Sequence, residues 1–278
     1  MTRPDRDAIY RGKLALVTGA SSGIGAAFAR ELVLSGADLV ITARREARLN
    51  DLAVELRQLN DVNVEVLAAD LSIPNAATDL VRKLVSNGRH IDILINCAGT
   101  TVADRFKDSG QDEQDRFLAT NVQAPVQFMH AVYDGMISRH YGRILNVSSI
   151  MAFLPGGAGH TLYPAAKSFL LRASQSLSVE SRGTGVNICA LCPGSTATEF
   201  RSANGIGAAS GNRKSAFVQT AEQVAQTGMR GLEKSRVVIV PGWHNKLAVM
   251  AFRTIPSGFI HWMERRFLSS KTTNSKGA

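Results

Sequence analysis

The sequence predicts an α/β fold, in which one doubly wound, seven-stranded parallel sheet carries helices on both faces. Short runs rich in apolar and β-branched residues recur along the chain, at 14–18, 38–42, 64–68, 92–96, 143–147, 186–191 and 237–241. Strands that are apolar throughout are typical of a parallel sheet covered on both sides. Segments of helical period, such as 24–36 and 221–235, separate these runs, and this alternation indicates a doubly wound sheet.

The 278 residues are expected to form a single domain. Its core should span 12–242, because all seven predicted strands lie there. Residues 246–268 form an apolar C-terminal extension that Arg253 and Pro256 interrupt, and the polar tail at 269–278 is expected to be disordered. The Gly- and Ser-rich stretch at 202–215 predicts a mobile loop that orders over bound ligands.

Composition limits the class of protein. With 45% hydrophobic and 20% charged residues, the chain has the composition of a soluble globular protein. Its three cysteines do not suggest a disulfide framework, and the N-terminal residues lack an apolar signal segment, so a cytoplasmic location is expected. An apolar run long enough to span a membrane is also missing.

The formal net charge of +9 raises the question of a nucleic-acid partner. Residues 1–13 carry a net +2 and residues 264–278 a net +3, so about +4 is spread over the remainder. Without a Lys/Arg stripe or interleaved aromatic residues, nucleic acid is not expected as a partner. An anionic cofactor explains a modest positive excess.

The first predicted strand runs into a glycine-rich turn, Thr18-Gly-Ala-Ser-Ser-Gly-Ile-Gly25. Glycines at a strand–helix junction allow a tight turn and close approach of the backbone to a phosphate, and the helix N-terminus adds positive potential. The spacing is G-x-x-x-G-x-G rather than the commoner G-x-G-x-x-G. The predicted cofactor-binding residues here are Gly19, Ser21, Ser22, Gly23, Ile24 and Gly25.

The end of the second predicted strand bears on which dinucleotide is bound. Alanine stands at position 43, where an acid would accept hydrogen bonds from the adenosine ribose, and Arg44 and Arg45 follow. Arginine pairs instead with a 2′-phosphate, so the sequence favours NADP(H) over NAD(H). The alternative is that the two arginines only open a solvated helix.

Tyr163 and Lys167 are four residues apart in Y-P-A-A-K, and a segment of helical period follows them. Proline is tolerated in the first turn of a helix, so both side chains should share one face at a helix start. A nearby lysine would favour the phenolate and lower the pKa of the tyrosine, as acid/base chemistry near neutral pH requires.

Several motifs in order make residues 12–242 resemble the short-chain dehydrogenases/reductases. They are T-G-A-S-S-G-I-G, Asp70-Leu71, Asn96-Cys97-Ala98-Gly99, Asn121, N-V-S-S at 146–149, Y-P-A-A-K, and Cys192-Pro-Gly-Ser-Thr-Ala-Thr198. The resemblance implies a Rossmann-type fold and an NAD(P)-dependent oxidoreductase that acts on a carbonyl/alcohol pair. It also implies a homo-oligomer, either a dimer or a tetramer.

The resemblance also implies a role for each matching residue. By this resemblance Tyr163 is the acid/base, and Lys167 lowers its pKa and binds the nicotinamide ribose. The Ser149 hydroxyl polarises the substrate oxygen, and Asn121 anchors a proton-relay water. Further cofactor contacts are implied for Asp70, Leu71, Asn96, Ala98, Gly99, Pro193, Gly194, Thr196 and Thr198.

Ser149 is separated from Tyr163 by thirteen residues, one more than the family commonly has. The loop Pro155–Gly159 is where an extra residue would be absorbed at small entropic cost. Ser149 is therefore preferred over Ser148 as the catalytic serine.

Other patterns are given ordinary interpretations. Cys189 and Cys192 match a C-x-x-C motif, but they end a predicted buried strand and are expected to pack in the core. His160 is interpreted as a loop residue, and no spacing of metal-ligating residues suggests a metal site.

The substrate predicted from these residues is a fairly apolar carbonyl or alcohol. A cofactor-sensing protein without turnover is the alternative function. Contact of the basic, apolar C-terminus with a membrane surface is compatible with the enzymatic function but is not favoured.

Overall fold

The computed structural model describes residues 10–102, 106–154, 161–199, 218–254 and 258. The predicted loop at 202–215, the 155–159 insertion, His160 and the tail at 269–278 lie outside these ranges. Of the C-terminal extension, 246–254 and 258 are described.

The seven-stranded parallel sheet is confirmed. Its strands are β1 (Leu14–Thr18), β2 (Asp38–Thr42), β3 (Val64–Val66), β4 (Ile93–Asn96), β5 (Gly142–Val147), β6 (Val186–Leu191) and, last in the chain, β9 (Val238–Ile239). Each neighbouring pair is parallel, and the order across the sheet is β3-β2-β1-β4-β5-β6-β9.

The strand order reverses between β1 and β4, which are hydrogen-bonded neighbours. In a doubly wound sheet, the connections leaving two such strands diverge to opposite faces and leave a crevice at their carboxyl ends. The glycine turn follows β1, and residues 97–99 follow β4. The topology therefore brings these two segments together.

The sheet is flanked by helices whose bounds agree well with the helical pattern of the sequence. They are α1 (Gly23–Leu34), α2 (Glu46–Leu59), α3 (Ala76–Ser86), α4 (Gln111–Leu118), α5 (Ala124–Ser138), α6 (Leu162–Glu180), α7 (Ala221–Glu233) and α8 (Trp243–Thr254). A π-helical turn at Ala119–Gln123 joins α4 to α5, and a 3₁₀ turn spans Ile150–Phe153.

Two apolar cores cover the two faces of the sheet. Phe28 of α1, Leu49 of α2 and Val224 of α7 are fully buried on one side, while Phe128 of α5 and Leu170 of α6 pack on the other. The sheet is therefore a rigid platform for the segments at its carboxyl edge.

A second, two-stranded parallel ladder pairs β7 (Thr196–Ala197) with β8 (Gln219–Thr220). The sequence did not predict this pairing, because two-residue strands leave no periodic signal. The ladder joins the residues after Pro193–Gly194 to the start of α7. In the described part of the chain, none of the helices is long and apolar enough to cross a bilayer.

Candidate active site

A cavity of about 540 Å³ opens at the carboxyl edge of the sheet. Most of the residues predicted to bind cofactor or to react line it: Gly19, Ser21, Ser22, Gly23, Ile24, Gly25, Arg44, Arg45, Asp70, Leu71, Ala98, Gly99, Ser149, Tyr163, Lys167, Pro193, Gly194, Thr196 and Thr198. These residues come from seven separate stretches of sequence, and the topology explains their convergence. Asn96 and Asn121 are the exceptions.

The Thr18 hydroxyl ties the ends of β1 and β4 together. It donates to the carbonyl of Ile95 at 3.3 Å and accepts from the backbone N–H groups of Cys97 and Ala98 at 2.9 and 3.0 Å. This side chain thus holds the segment after β4 against the glycine turn. Thr18 belongs to the glycine motif of the sequence, but the motif does not itself predict this role.

Gly19 in the glycine turn is packed too closely to carry a side chain. It has φ of +67°, and a Cβ there would lie 2.8 Å from the backbone of Ala98. Positive φ and close backbone approach are the two reasons for which a fold requires glycine. The backbone at Gly19 is consequently bare where it lines the cavity, which suits the close approach of a phosphate.

The two arginines after β2 differ in their environment. Arg45 donates to the hydroxyls of Ser21 and Ser22 at 2.9 and 2.8 Å, and its guanidinium lies 3.5 Å from the Glu199 carboxylate. Arg48 forms a second ion pair with Glu199. Arg44 is exposed, lines the cavity, and has no hydrogen-bond or ion-pair partner among the described residues.

Asp70 follows β3 at the adenosine end of the cavity. Partial burial would raise the pKa of its carboxyl group, but hydrogen bonds from the backbone N–H and hydroxyl of Ser72, at 3.0 and 2.8 Å, hold the pKa below its usual range. A carboxylate that stays ionised accepts hydrogen bonds.

The two adjacent serines after β5 have different partners. The Ser148 hydroxyl donates to the backbone carbonyl of Lys167 at 2.8 Å. The Ser149 hydroxyl accepts from the backbone N–H of Met151 at 3.2 Å, which caps the 3₁₀ turn, and also hydrogen-bonds with the Tyr163 phenol. Ser149 is thus the serine that reaches the tyrosine.

Tyr163 and Lys167 lie in the first turns of α6, as the sequence predicts, with Lys167 Nζ 5.7 Å from the centre of the Tyr163 ring. Lys167 is buried, and Nζ donates to the carbonyl of Val147 at 3.1 Å. Burial lowers the pKa of Lys167 to about 8, because a desolvated ammonium is disfavoured.

The pKa of Tyr163 is raised, not lowered as the sequence predicts. Burial raises the pKa of Tyr163 to about 12, and the hydrogen bond from Ser149 offsets only part of the rise. At neutral pH the phenol therefore carries its proton.

Asn121 is buried in the π-helical turn. Its Nδ2 donates to the hydroxyl of Thr100 at 3.2 Å and to the carbonyl of Phe117 at 3.0 Å, while its Oδ1 has no partner. A Cβ at Gly99 would lie 3.0 Å from this Oδ1 and 3.5 Å from Lys167 Nζ. Glycine at position 99 thus keeps a passage open between Asn121 and Lys167.

Asn96 does not line the cavity, contrary to expectation. It is buried one layer deeper, where its Nδ2 donates to Asn146 Oδ1 at 2.8 Å. Asn146 in turn donates to the hydroxyl of Ser174 at 2.8 Å. This network fixes β4, β5 and α6 relative to one another. Cys97, the next residue along the chain, lines the cavity in its place.

Cys189 and Cys192 are buried thiols, which agrees with packing in the core. Burial raises the pKa of the Cys189 thiol, so the pair lacks the stabilised thiolate that redox chemistry requires. The described residues include no cluster of side chains that could hold a metal ion.

The two ends of the cavity differ in polarity. Arg44, Arg45 and Asp70 lie at one end, whereas Lys167 is the charged residue nearest Tyr163 among the described lining. Tyr163 packs instead against a small apolar cluster that contains Val102, Leu162 and Ala166. Apart from Lys167, the charged residues of the described cavity lining are thus Arg44, Arg45 and Asp70.

Comparison with known proteins identifies the class. The family model for the short chain dehydrogenase matches residues 13–207, which is more than half of the chain. The chain therefore belongs to the short-chain dehydrogenases/reductases.

Individual relatives agree with this assignment. An uncharacterized oxidoreductase of Staphylococcus epidermidis is 32% identical over 182 residues, which are 66% of this chain and 77% of that protein. The structure of a short-chain dehydrogenase from Sphingobium yanoikuyae in complex with NADPH superimposes with a TM-score of 0.77 at 30% identity, covering 89% of this chain and 95% of that one.

A third similarity is to a bulky-bulky ketone specific alcohol dehydrogenase from Comamonas testosteroni. The TM-score is 0.72 at 29% identity, and the match covers 85% of this chain and 90% of that one. Fold, family and relatives together show that the protein is an NAD(P)-dependent dehydrogenase or reductase.

Proposed function

We propose that the protein is an NADP(H)-dependent oxidoreductase that interconverts an uncharged, fairly apolar ketone and its alcohol. One observation carries the proposal, namely that the cavity joins a phosphate-binding turn, an exposed Arg44 and the Ser149–Tyr163–Lys167 set. The bare backbone at Gly19 and the phosphate-accepting guanidinium of Arg44 fit a phosphorylated dinucleotide. When bound, the nicotinamide supplies or accepts the hydride.

The reacting oxygen of the substrate binds between Ser149 and Tyr163. The Ser149 hydroxyl, held by its bond with the backbone of Met151, polarises the carbonyl as charge develops on the oxygen. Because burial keeps the Tyr163 phenol protonated at neutral pH, it delivers a proton to the developing alkoxide during reduction. In the oxidative direction the same oxygen accepts the proton.

Lys167 and Asn121 serve proton supply and positioning. The Asn121 Oδ1 lies across Gly99 from the Lys167 ammonium, where it is available to accept a hydrogen bond from a relay water. Lys167, held by its bond with the Val147 carbonyl, has further N–H donors that would bind the ribose hydroxyls of the cofactor. Such binding would position the hydride donor against the substrate.

Preference for NADP(H) rests on the environment of Arg44. Its guanidinium is exposed at the adenosine end and lacks a partner among the described residues, whereas a ribose-binding acid is missing at position 43. The relative from Sphingobium yanoikuyae was solved with NADPH, which supports the same preference.

An uncharged substrate is favoured by what surrounds Tyr163. Among the described residues that line the cavity near Tyr163, Lys167 is the one cation that could pair with a carboxylate or sulfonate. We expect the cofactor to engage this lysine. The protein packed around Tyr163, which includes Val102, Leu162 and Ala166, is apolar, and an apolar environment suits an uncharged substrate. The similarity to an alcohol dehydrogenase specific for bulky ketones points the same way.

The test is oxidation of NADPH and of NADH by the purified full chain with a panel of carbonyl compounds. We expect turnover with NADPH and bulky uncharged ketones, at a higher kcat/KM than with small anionic aldehydes. Tight NADPH binding with no turnover across the panel would favour the alternative, a cofactor-sensing protein. Preference for NADH or for anionic aldehydes would contradict the finer assignment.

A further inference from the structure

The outer face of α8 is unusually apolar for an exposed helix. Trp243, Leu247 and Met250 are 68%, 51% and 60% exposed, and their spacing of four and three residues places them in one stripe. We call these three residues the α8 stripe. Exposed apolar residues elsewhere, such as Val54, Val85 and Val179, lie on different helices as isolated side chains, which is ordinary for a protein surface.

The opposite face of α8 is firmly attached to the protein, so the stripe is not a by-product of a loose helix. Asn245 is buried and donates to the carbonyl of Pro241 at 2.8 Å and to Gln219 Oε1 at 3.3 Å. Val249 is buried too. Because these contacts hold the inner face of α8 against the protein, the stripe on the opposite face points outward.

Positive charge is concentrated in the same part of the sequence. Residues 243–278 contain six basic residues and one acidic residue, a net +5 of the chain's +9. On α8 itself, Lys246 is exposed beside Leu247. Both tryptophans of the chain, Trp243 and Trp262, also lie in this region. Tryptophan and lysine around an apolar stripe are the composition of helices that lie in a membrane interface.

We propose that the α8 stripe docks on an anionic lipid surface, with Lys246 attracted to the phosphate headgroups. The apolar side chains enter the boundary between headgroups and acyl chains, while the lysine reaches back to the phosphates. Each basic residue close to an anionic leaflet strengthens binding roughly fivefold. Charge and apolar contact thus act together.

Charge argues against two other occupants of the stripe, namely a second copy of this chain and the C-terminal segment of the same chain. A second copy docked through the same stripe would bring two regions of net +5 together, and the C-terminal segment folded back would bring Arg265 and Arg266 towards Lys246. The stripe is also small. It has three large side chains, whereas a standard protein–protein interface contributes roughly 20 residues per side.

Docking through α8 would place the reaction cavity close to the lipid. Asn245, on the inner face of α8, lies so near Gly194 that a Cβ at this glycine would collide with its side-chain amide, and Gly194 lines the cavity. The cavity therefore lies next to the inner face of α8. This proximity would suit an apolar substrate drawn from a membrane, although docking itself does not depend on the proposed activity.

The experiment is flotation of the full chain with vesicles of phosphatidylcholine alone or mixed with phosphatidylglycerol. The test variant is W243S/L247S/M250S, and the matched control is V54S/V85S/V179S, which removes equally exposed apolar residues elsewhere. NADPH binding checks that both variants are folded, and light scattering reports their oligomeric state.

We expect flotation of the parent with phosphatidylglycerol vesicles, loss of most of it at high salt, and little with phosphatidylcholine alone. The test variant should bind at least about tenfold more weakly, since three exposed apolar anchors are lost, and the control should bind like the parent. The proposal is overturned by equal flotation with both vesicle types, by no flotation, or by a test variant that binds normally. A test variant that changes the oligomeric state instead would assign the stripe to a second copy.

Discussion

The Ser148 hydroxyl donates a 2.8 Å hydrogen bond to the backbone carbonyl of Lys167, so this serine holds α6 against the end of β5. Its neighbour Ser149 hydrogen-bonds with the Tyr163 phenol instead. The two adjacent serines thus have different roles. Ser148 is structural, and Ser149 is directed at the reacting oxygen. The longer spacing between Ser149 and Tyr163 leaves this geometry intact.

Ser149→Ala is expected to lower kcat at least about 10²-fold, the scale seen when a donor to a developing oxyanion is removed, with little change in stability. Ser148→Ala should lower the free energy of unfolding by about 1 kcal/mol, the typical value of one hydrogen bond, and change kcat less. Steady-state kinetics and urea unfolding of both variants decide between the serines. A larger kcat loss in Ser148→Ala would reverse the assignment.

Arg44→Ala should weaken NADPH binding far more than NADH binding. A charge-assisted hydrogen bond contributes about 1.5–3 kcal/mol, or roughly one to two orders of magnitude in Kd. Replacing Arg45 as well should deepen the loss. Arg48→Ala is the control, because Arg48 pairs with Glu199 but does not line the cavity. Equal weakening of both cofactors in the Arg44 and Arg45 variants would mean that the arginines only support α2.

Glu199→Gln should bind NADP(H) several-fold more tightly and leave NAD(H) unchanged. The Glu199 carboxylate lies 3.5 Å from Arg45, so it competes with a 2′-phosphate for the same guanidinium. Removing its charge frees Arg45 for the cofactor. Calorimetric titration with both cofactors measures the effect, and weaker NADP(H) binding would show that Glu199 instead orients Arg45 for the phosphate.

The pH dependence should report on Lys167. Because burial lowers its pKa to about 8, the ammonium form predominates below pH 8 and is lost above it. Tyr163, with a pKa of about 12, stays protonated throughout this range. The kcat/KM for NADPH, which reflects groups of the free enzyme, should therefore fall as pH rises through about 8.

Lys167→Arg provides the control for this profile, because a guanidinium keeps its charge over the whole range. The variant should be slower at every pH, yet its kcat/KM for NADPH should no longer fall near pH 8. A parent profile that stays flat to pH 9.5, or a fall that persists in Lys167→Arg, would assign the titration to another group.

Much of the fold and site follows from local sequence patterns. The apolar runs located β1 and β6 because buried parallel strands need no alternation, and the glycines of the turn are dictated by positive φ and close packing at Gly19. The position of Tyr163 and Lys167 at the start of α6 was readable from Pro164. Each of these features depends on residues close together in the chain.

What the sequence did not show depends on contacts between distant residues. Glu199 reaches Arg45 across 154 positions, and Asn96 is directed into the network of Asn146 and Ser174, which no motif encodes. The π-helical turn that turns Asn121 Oδ1 towards Gly99 has no signature in A-T-N-V-Q. The rise in the pKa of Tyr163 was not predicted because it comes from burial, which is a property of the folded protein.

The central claim is that Tyr163 transfers the proton, and kcat of Tyr163→Phe with an authentic substrate measures this most directly. The substitution removes the phenolic proton while leaving the ring packed against Ala166. We expect kcat to fall at least about 10²-fold, as on loss of a general acid, with the Kd for NADPH nearly unchanged. Near-parent turnover in this variant, with hydride transfer limiting, would contradict the mechanism.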